Sequence, residues 1–147
     1  METPRHILQE EDFAISVDLK DSYLHVHIHQ TSRKLMWFIY NDVVYQFRAL
    51  SFGLNISPWI FTCLMNQFMA HVWTISTMAT ISYLDDIVQK HQVSSILHQD
   101  VITLVTLLTN LGFFIKEDKS DLVPTQHFVH LGMEFNTWEN IFLRIRY

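Results

Sequence analysis

A chain of 147 residues with 49% hydrophobic and 14% aromatic side chains is about one domain and has enough apolar surface to bury a core, which excludes intrinsic disorder. Its single cysteine, Cys63, excludes a disulfide framework and fits a reducing, intracellular setting, cytoplasm or nucleus. A net charge of −5 is the wrong sign for a surface that grips a polyanion unaided, so local geometry or further segments would have to hold any nucleic acid.

Residues 1–12 read as an acidic lead-in, and the start Met1-Glu2-Thr3-Pro4-Arg5 lacks the basic and apolar regions of a secretory signal. Phe13 to Asp18 alternates and carries β-branched residues, the pattern of a half-buried strand. Lys20 to Tyr23 is expected to turn, and Leu24 to Ile28 alternates again as a second strand. That strand would set His25, His27 and His29 on one face, a weak candidate for Zn²⁺ or Cu²⁺, since no Cys or carboxylate at ligand spacing accompanies them. A partly exposed sheet face is the plainer account. Leu35 to Tyr40 and Val43 to Phe47 form a hairpin across Asn41-Asp42.

From Ala49 to Leu84 there is no Asp, Glu, Lys or Arg, but Gly53, Asn55, Ser57, Pro58, Asn66, Gln67 and His71 interrupt the stretch. No run of about 20 apolar residues remains, so a loop, a buried helix and a buried strand are expected rather than a membrane span. Ser57 is placed to cap the helix with Pro58 at its first position. Ile60, Phe61, Leu64, Met65, Phe68, Met69, Val72 and Trp73 give it one broad apolar face to about Trp73. A strand over Met78 to Ser82 leads through Tyr83-Leu84-Asp85-Asp86 to the short apolar pair Ile87-Val88. A second helix is expected from about Val93 to Asn110, with Ile96, Leu97, Val101, Leu104, Val105 and Leu108 buried and an end near Gly112. Short strands follow at 113–116, 128–131, 133–135 and 141–145. The order predicts an α+β fold in which helices pack on one face of an antiparallel sheet.

Asp85 and Asp86 are neighbours of like charge, and a tight hairpin that presents both is costly unless a cation lies between them. Asp18 closes the first strand and is a third candidate ligand; three such acids would hold two Mg²⁺ ions. A solvated hairpin tip accounts for the Asp pair equally well when the tetrapeptide is taken alone.

An ordered series extends beyond the tetrapeptide. It comprises Asp18-Leu19-Lys20-Asp21-Ser22-Tyr23, Tyr45-Gln46-Phe47, Leu50-Ser51-Phe52-Gly53-Leu54, Ser57-Pro58 with Phe61, Tyr83-Leu84-Asp85-Asp86, Leu111-Gly112-Phe113 with Lys119, and Phe128-Val129-His130-Leu131-Gly132. From Phe13 to Asn136 this resembles the reverse transcriptases, and among them the gypsy-like and DIRS-type retroelement polymerases. The resemblance implies a polymerase palm: residues 1–147 as one truncated domain with part of the fingers, and without thumb or ribonuclease H.

The activity implied is RNA-directed DNA synthesis by two-metal transfer of a nucleotide from dNTP to a primer 3′-hydroxyl. One Mg²⁺ would lower the hydroxyl's pKa and the second would neutralise the leaving pyrophosphate, with Mn²⁺ able to substitute. By position, Asp18 and Asp85 resemble the shared ligands, Asp86 the supporting carboxylate, and the Leu19 carbonyl the triphosphate-side ligand. Tyr23 resembles the wall that excludes a ribose 2′-hydroxyl, an ordinary half-buried Tyr being the alternative. Phe52 and Gly53 resemble the loop against the incoming base, a core aromatic being the alternative for Phe52. Lys119 matches a lysine that protonates pyrophosphate, against a solvated side chain beside Lys116, Glu117 and Asp118. Tyr83, Leu131 and Gly132 are implied to meet the primer terminus, a buried β turn being the alternative for the segment from Phe128 to Gly132.

Ser51, Ser22, Asp118 and His27 depart from residues usual in the family, and none of these removes a metal ligand. The partners implied are an RNA or DNA template with primer, dNTP, and the fingers, thumb and ribonuclease H segments of a larger polyprotein, with no membrane. Weak or no polymerase activity is expected of the chain alone. A catalytically inactive remnant, or a binding module that keeps the palm fold, is the alternative.

Overall fold

The computed structural model describes residues 8–139 and 141–144. In chain order these form β1 (Phe13–Asp18), a 3₁₀ turn (Ser22–His25), α1 (Gln30–Arg33), β2 (Trp37–Tyr40), β3 (Val43–Gln46), α2 (Ser57–Ile75), β4 (Ala79–Tyr83), β5 (Asp86–His91), α3 (Ser94–Asn110), β6 (Asp121–Thr125), β7 (His127–His130), β8 (Met133–Asn136) and β9 (Ile141–Arg144). A four-stranded sheet of order β4-β5-β1-β6 is the centre, with β7-β8-β9 and β2-β3 as two smaller sheets. Every strand pair is antiparallel.

Ala14, Ile15, Ser16 and Val17 of β1 are all buried, because both faces of the central sheet are covered. Ile15, Val17 and Ile87 face one way, into a cluster with Phe61, Met65, Met69, Leu97 and Leu104 of α2 and α3. Ala14 and Val88 face the other way and meet Phe128 and Phe135 of the β7–β8 hairpin. The long helices thus share one face, as predicted, and the small sheet sits on the other.

Within α2 the buried face is narrower than expected: Phe61, Met65, Phe68, Met69 and Val72 are buried, whereas Leu64 and Trp73 are exposed. Trp73 instead turns its indole N–H to the Thr80 carbonyl, at 3.0 Å, tying helix to sheet. The helix also starts differently, with Ile56 at the cap, Ser57 in the first turn and no side-chain cap; the Ser57 hydroxyl donates back to the Ser51 carbonyl at 2.8 Å. At the end of α3, Gly112 has φ 86°, its N–H meets the Thr109 carbonyl, and the Phe113 N–H meets the Leu108 carbonyl. This left-handed stop is one that a residue without Cβ adopts freely.

Two expected strands are absent and an unexpected one is present. Leu24 and His25 lie in the 3₁₀ turn and His27 makes only an isolated bridge to Ala49, so residues 24–28 form no strand. His25, His27 and His29 therefore share no strand face; a ring nitrogen of His25 lies 2.9 Å from the Lys20 carbonyl and one of His29 lies 2.9 Å from the Thr31 hydroxyl. Residues 113–116 contribute only the bridge of Ile115 to Leu19. The additional strand, β6, contains Pro124 and runs along the sheet edge, where a missing backbone N–H is tolerated. Among the described residues no helix is long and apolar enough to cross a membrane.

Candidate active site

Antiparallel register sets Asp18, the last residue of β1, directly opposite Asp86, the first residue of β5. Tyr83 at the end of β4 pairs with the same Asp86, so only Leu84 and Asp85 make the turn. Leu84 sits at φ 55°, a left-handed conformation that costs a side chain with Cβ about 1–2 kcal/mol. A backbone bond holds the turn in place: the Leu19 N–H donates to the Asp85 carbonyl at 3.0 Å. On the other side the Asp18 N–H donates to the Ser120 hydroxyl at 3.0 Å, and that hydroxyl donates to the Lys116 carbonyl at 2.8 Å.

The two strands thereby bring three carboxylates together. Burial is the largest influence raising the Asp18 pKa above the ordinary carboxylate value, and the charge of Asp85 is next. Asp86 raises it further, while Lys116 and Lys119 pull it down. Such mutual repulsion is what a divalent cation would relieve, and hard carboxylate oxygens are the donors that Mg²⁺ prefers. The side chains are not arranged as a finished cage: among the described residues no three His, Cys, Asp or Glu groups are spaced to hold one ion. The Oδ2 of Asp86 lies 2.8 Å from Nδ1 of His130.

Other predicted residues gather around the acids. Tyr23 is buried; its ring centroid lies 5.0 Å from that of Phe52 and 5.6 Å, edge-on, from that of Phe61. Its phenol pKa is raised, by burial first and then by Asp85 and Tyr83, which puts Tyr23 within electrostatic reach of the acid turn. Phe52 is 66% exposed, so it is no core aromatic. Gly53 has φ 87° and open space where a Cβ would be, so its conformation rather than its size calls for glycine.

A cleft of about 490 Å³ joins Asp18 and Asp86 to Lys119, Leu131 and Gly132. Lys119 is exposed and in a short 3₁₀ turn. Leu131 (φ 50°) and Gly132 (φ 70°) form the two-residue turn between β7 and β8; Leu131 is exposed there, while Phe128 and His130 point inward. Tyr83 is exposed at the end of β4. Leu19 buries its side chain in the core cluster on the helix side of the sheet.

Sequence reasoning missed three contributors: His130, Ser120 and Lys116. The alternation of buried Phe128 and His130 is the one local signal that could have turned His130 inward. Nothing local pointed to the other two, because their contacts with β1 join distant parts of the chain.

Known proteins resemble the chain both in sequence and in fold. A sequence profile of the family described as "Reverse transcriptase (RNA-dependent DNA polymerase)" matches residues 2–135. Protein P of duck hepatitis B virus (strain China) is 24% identical over 136 residues, 92% of this chain and 17% of that protein. Protein P of heron hepatitis B virus is 26% identical over 134 residues, 91% of this chain and 17% of that protein. The chain thus spans about a sixth of the length of these relatives. Among solved structures, prototype foamy virus protease-reverse transcriptase aligns with TM-score 0.75 and 20% identity over 95% of this chain and 17% of that one. The foamy viral enzyme in complex with an RNA/DNA hybrid aligns with TM-score 0.74 and 18% identity over 90% of this chain and 18% of that one. These structural likenesses show the fold.

Proposed function

The chain belongs to the reverse transcriptase (RNA-dependent DNA polymerase) family, and from that premise we propose that it is the catalytic palm, with part of the fingers, of a retroelement polymerase of gypsy-like or DIRS type. Its reaction would be transfer of a nucleotide from dNTP to a primer 3′-hydroxyl on an RNA or DNA template, inside the cell, in cytoplasm or nucleus. The observation that carries the reading is the convergence of Asp18 with the Asp85–Asp86 turn, fixed by strand register and by the bond from Leu19 N–H to the Asp85 carbonyl. The ordered motifs from Asp18 to Gly132 support the retroelement assignment.

Asp18 and Asp85 would hold the cations, with the Leu19 carbonyl on the triphosphate side and Asp86 as the supporting carboxylate. Two Mg²⁺ ions, or Mn²⁺ in their place, would when bound acidify the primer hydroxyl and offset the charge of the leaving pyrophosphate. The buried ring of Tyr23, backed by Phe61, is rigid enough to reject a 2′-hydroxyl, and exposed Phe52 beside it offers a face to the incoming base. Lys119, exposed on the same cleft, can give a proton to the departing pyrophosphate. Tyr83 and the Leu131-Gly132 turn flank the place where a primer end would lie.

The net charge of −5 favours a second reading, a non-catalytic remnant. Primer extension separates the two. With the chain carried between fingers and thumb segments, dNTP but not NTP should be added on a primed RNA template, and Asp85→Asn should abolish the addition. No extension in that setting would establish the remnant, and extension that survives Asp85→Asn would overturn the assignment of Asp85.

A further inference from the structure

His130 is an inward-facing group at the acid site that the polymerase reading does not use. It ends β7 with its side chain 1% exposed, and its Nδ1 lies 2.8 Å from Asp86 Oδ2 but off the ring N–H axis, so that Nδ1 has no aligned hydrogen bond. Its place is set by packing. Phe128 and Phe135 stack with centroids 5.2 Å apart and seat the β7–β8 hairpin on Ala14 and Val88. One same-face step along β7 leads from Phe128 to His130, and one along β5 leads from Val88 to Asp86, so the seat that joins Phe128 to Val88 also lays the imidazole over the carboxylate.

The Asp86 carboxylate oxygen at this contact faces the β7–β8 hairpin. Asp86 is also the cross-strand partner of Asp18. The same hairpin carries the Leu131-Gly132 turn, so the tether joins that turn to the acids.

We propose that His130 is a positioning residue that holds the Asp86 carboxylate against the β7–β8 hairpin, so that a divalent cation at Asp18 and Asp85 does not recruit Asp86 as a ligand. This rests on the reading above only in taking Asp18 and Asp85 as the cation ligands.

Mn²⁺ binding to the 147-residue chain, followed by the electron paramagnetic resonance of free Mn²⁺, tests it without any assay of activity. Asp85→Asn should weaken binding by about tenfold or more, whereas Asp86→Asn should leave Kd within about twofold. His130→Phe frees Asp86 and should tighten binding by about tenfold. Adding Asp86→Asn to that variant should erase the gain. Should His130→Phe not fold, the comparison of Asp86→Asn with Asp85→Asn still decides. An Asp86→Asn variant that loses Mn²⁺ as Asp85→Asn does overturns the role of His130 and leaves the polymerase reading standing. Unchanged binding in a folded His130→Phe does the same. Mn²⁺ binding indifferent to both Asp18→Asn and Asp85→Asn overturns both proposals.

Discussion

The hairpins β2–β3 and β4–β5 both close with a two-residue turn, the first at Asn41-Asp42 and the second at Leu84-Asp85. Asn41 and Asp42, at φ 48° and 58°, are residue types that tolerate the left-handed region, while Leu84 at φ 55° is not. Burial differs in the opposite sense: every residue of β2 and β3 is exposed, whereas Ile87, Val88 and Gln89 of β5 are buried between two layers. A free two-stranded ribbon is marginal in water and needs a turn that favours it. The embedded hairpin has its register fixed by β1 and by the layers above and below, and can carry a strained turn that bears like charges. The difference teaches that the acid site depends on the sheet around it, not on the tetrapeptide that spells it.

The comparison breaks most visibly under one substitution made in both places. Ile15→Ala, at a fully buried position of β1, should cost about 2–5 kcal/mol in denaturant unfolding, whereas Ile39→Ala, exposed on β2, should stay within about 0.5 kcal/mol. Equal costs would show that the ribbon is covered and the comparison wrong. A smaller effect is expected in the β7–β8 turn. At Gly132 (φ 70°) an added Cβ meets nothing within 4 Å, so Gly132→Ala should lose about 1 kcal/mol from backbone conformation alone. No loss would mean that this turn is not left-handed.

Asp18→Asn should give the smallest change, and one that depends on pH. The Asp18 pKa is raised on folding, so its ionised form weighs against the fold. That penalty is complete above the raised folded pKa, shrinks as the pH falls through it, and vanishes below the unfolded value. The variant should therefore melt higher than the parent at neutral pH and lose the advantage in acid. An advantage of constant size across pH would contradict the repulsion described for Asp18.

Much of this was legible in the sequence where local rules dominate. Period-two alternation found β1, although it is buried on both faces rather than half-buried; the Asn41-Asp42 turn found its hairpin, and spacings of three and four found the long helices, although Ile96, expected to be buried, is exposed. Gly112 marked the end of α3. Local rules misled where tertiary context decided. The alternating histidines from His25 to His29 imitate a strand that is a 3₁₀ turn and a single bridge, and Pro124 concealed an edge strand. Ser57 looked like a cap but spends its hydroxyl on Ser51. At the site, the acid cluster was readable because Asp85 and Asp86 are adjacent in a short string and Asp18 closes an alternating strand. His130 was not, since its partner Asp86 is reached only when one sheet is laid on another.

The convergence of acids from β1 and the β4–β5 turn is tested most directly by the carboxyl titration of Asp18, followed by NMR in the metal-free chain, with added Mg²⁺, and in Asp85→Asn. Asp18 should titrate above the ordinary carboxylate value without metal and move downward both when Mg²⁺ is added and when Asp85 loses its charge. An Asp18 that titrates at its ordinary value and responds to neither change would contradict the convergence.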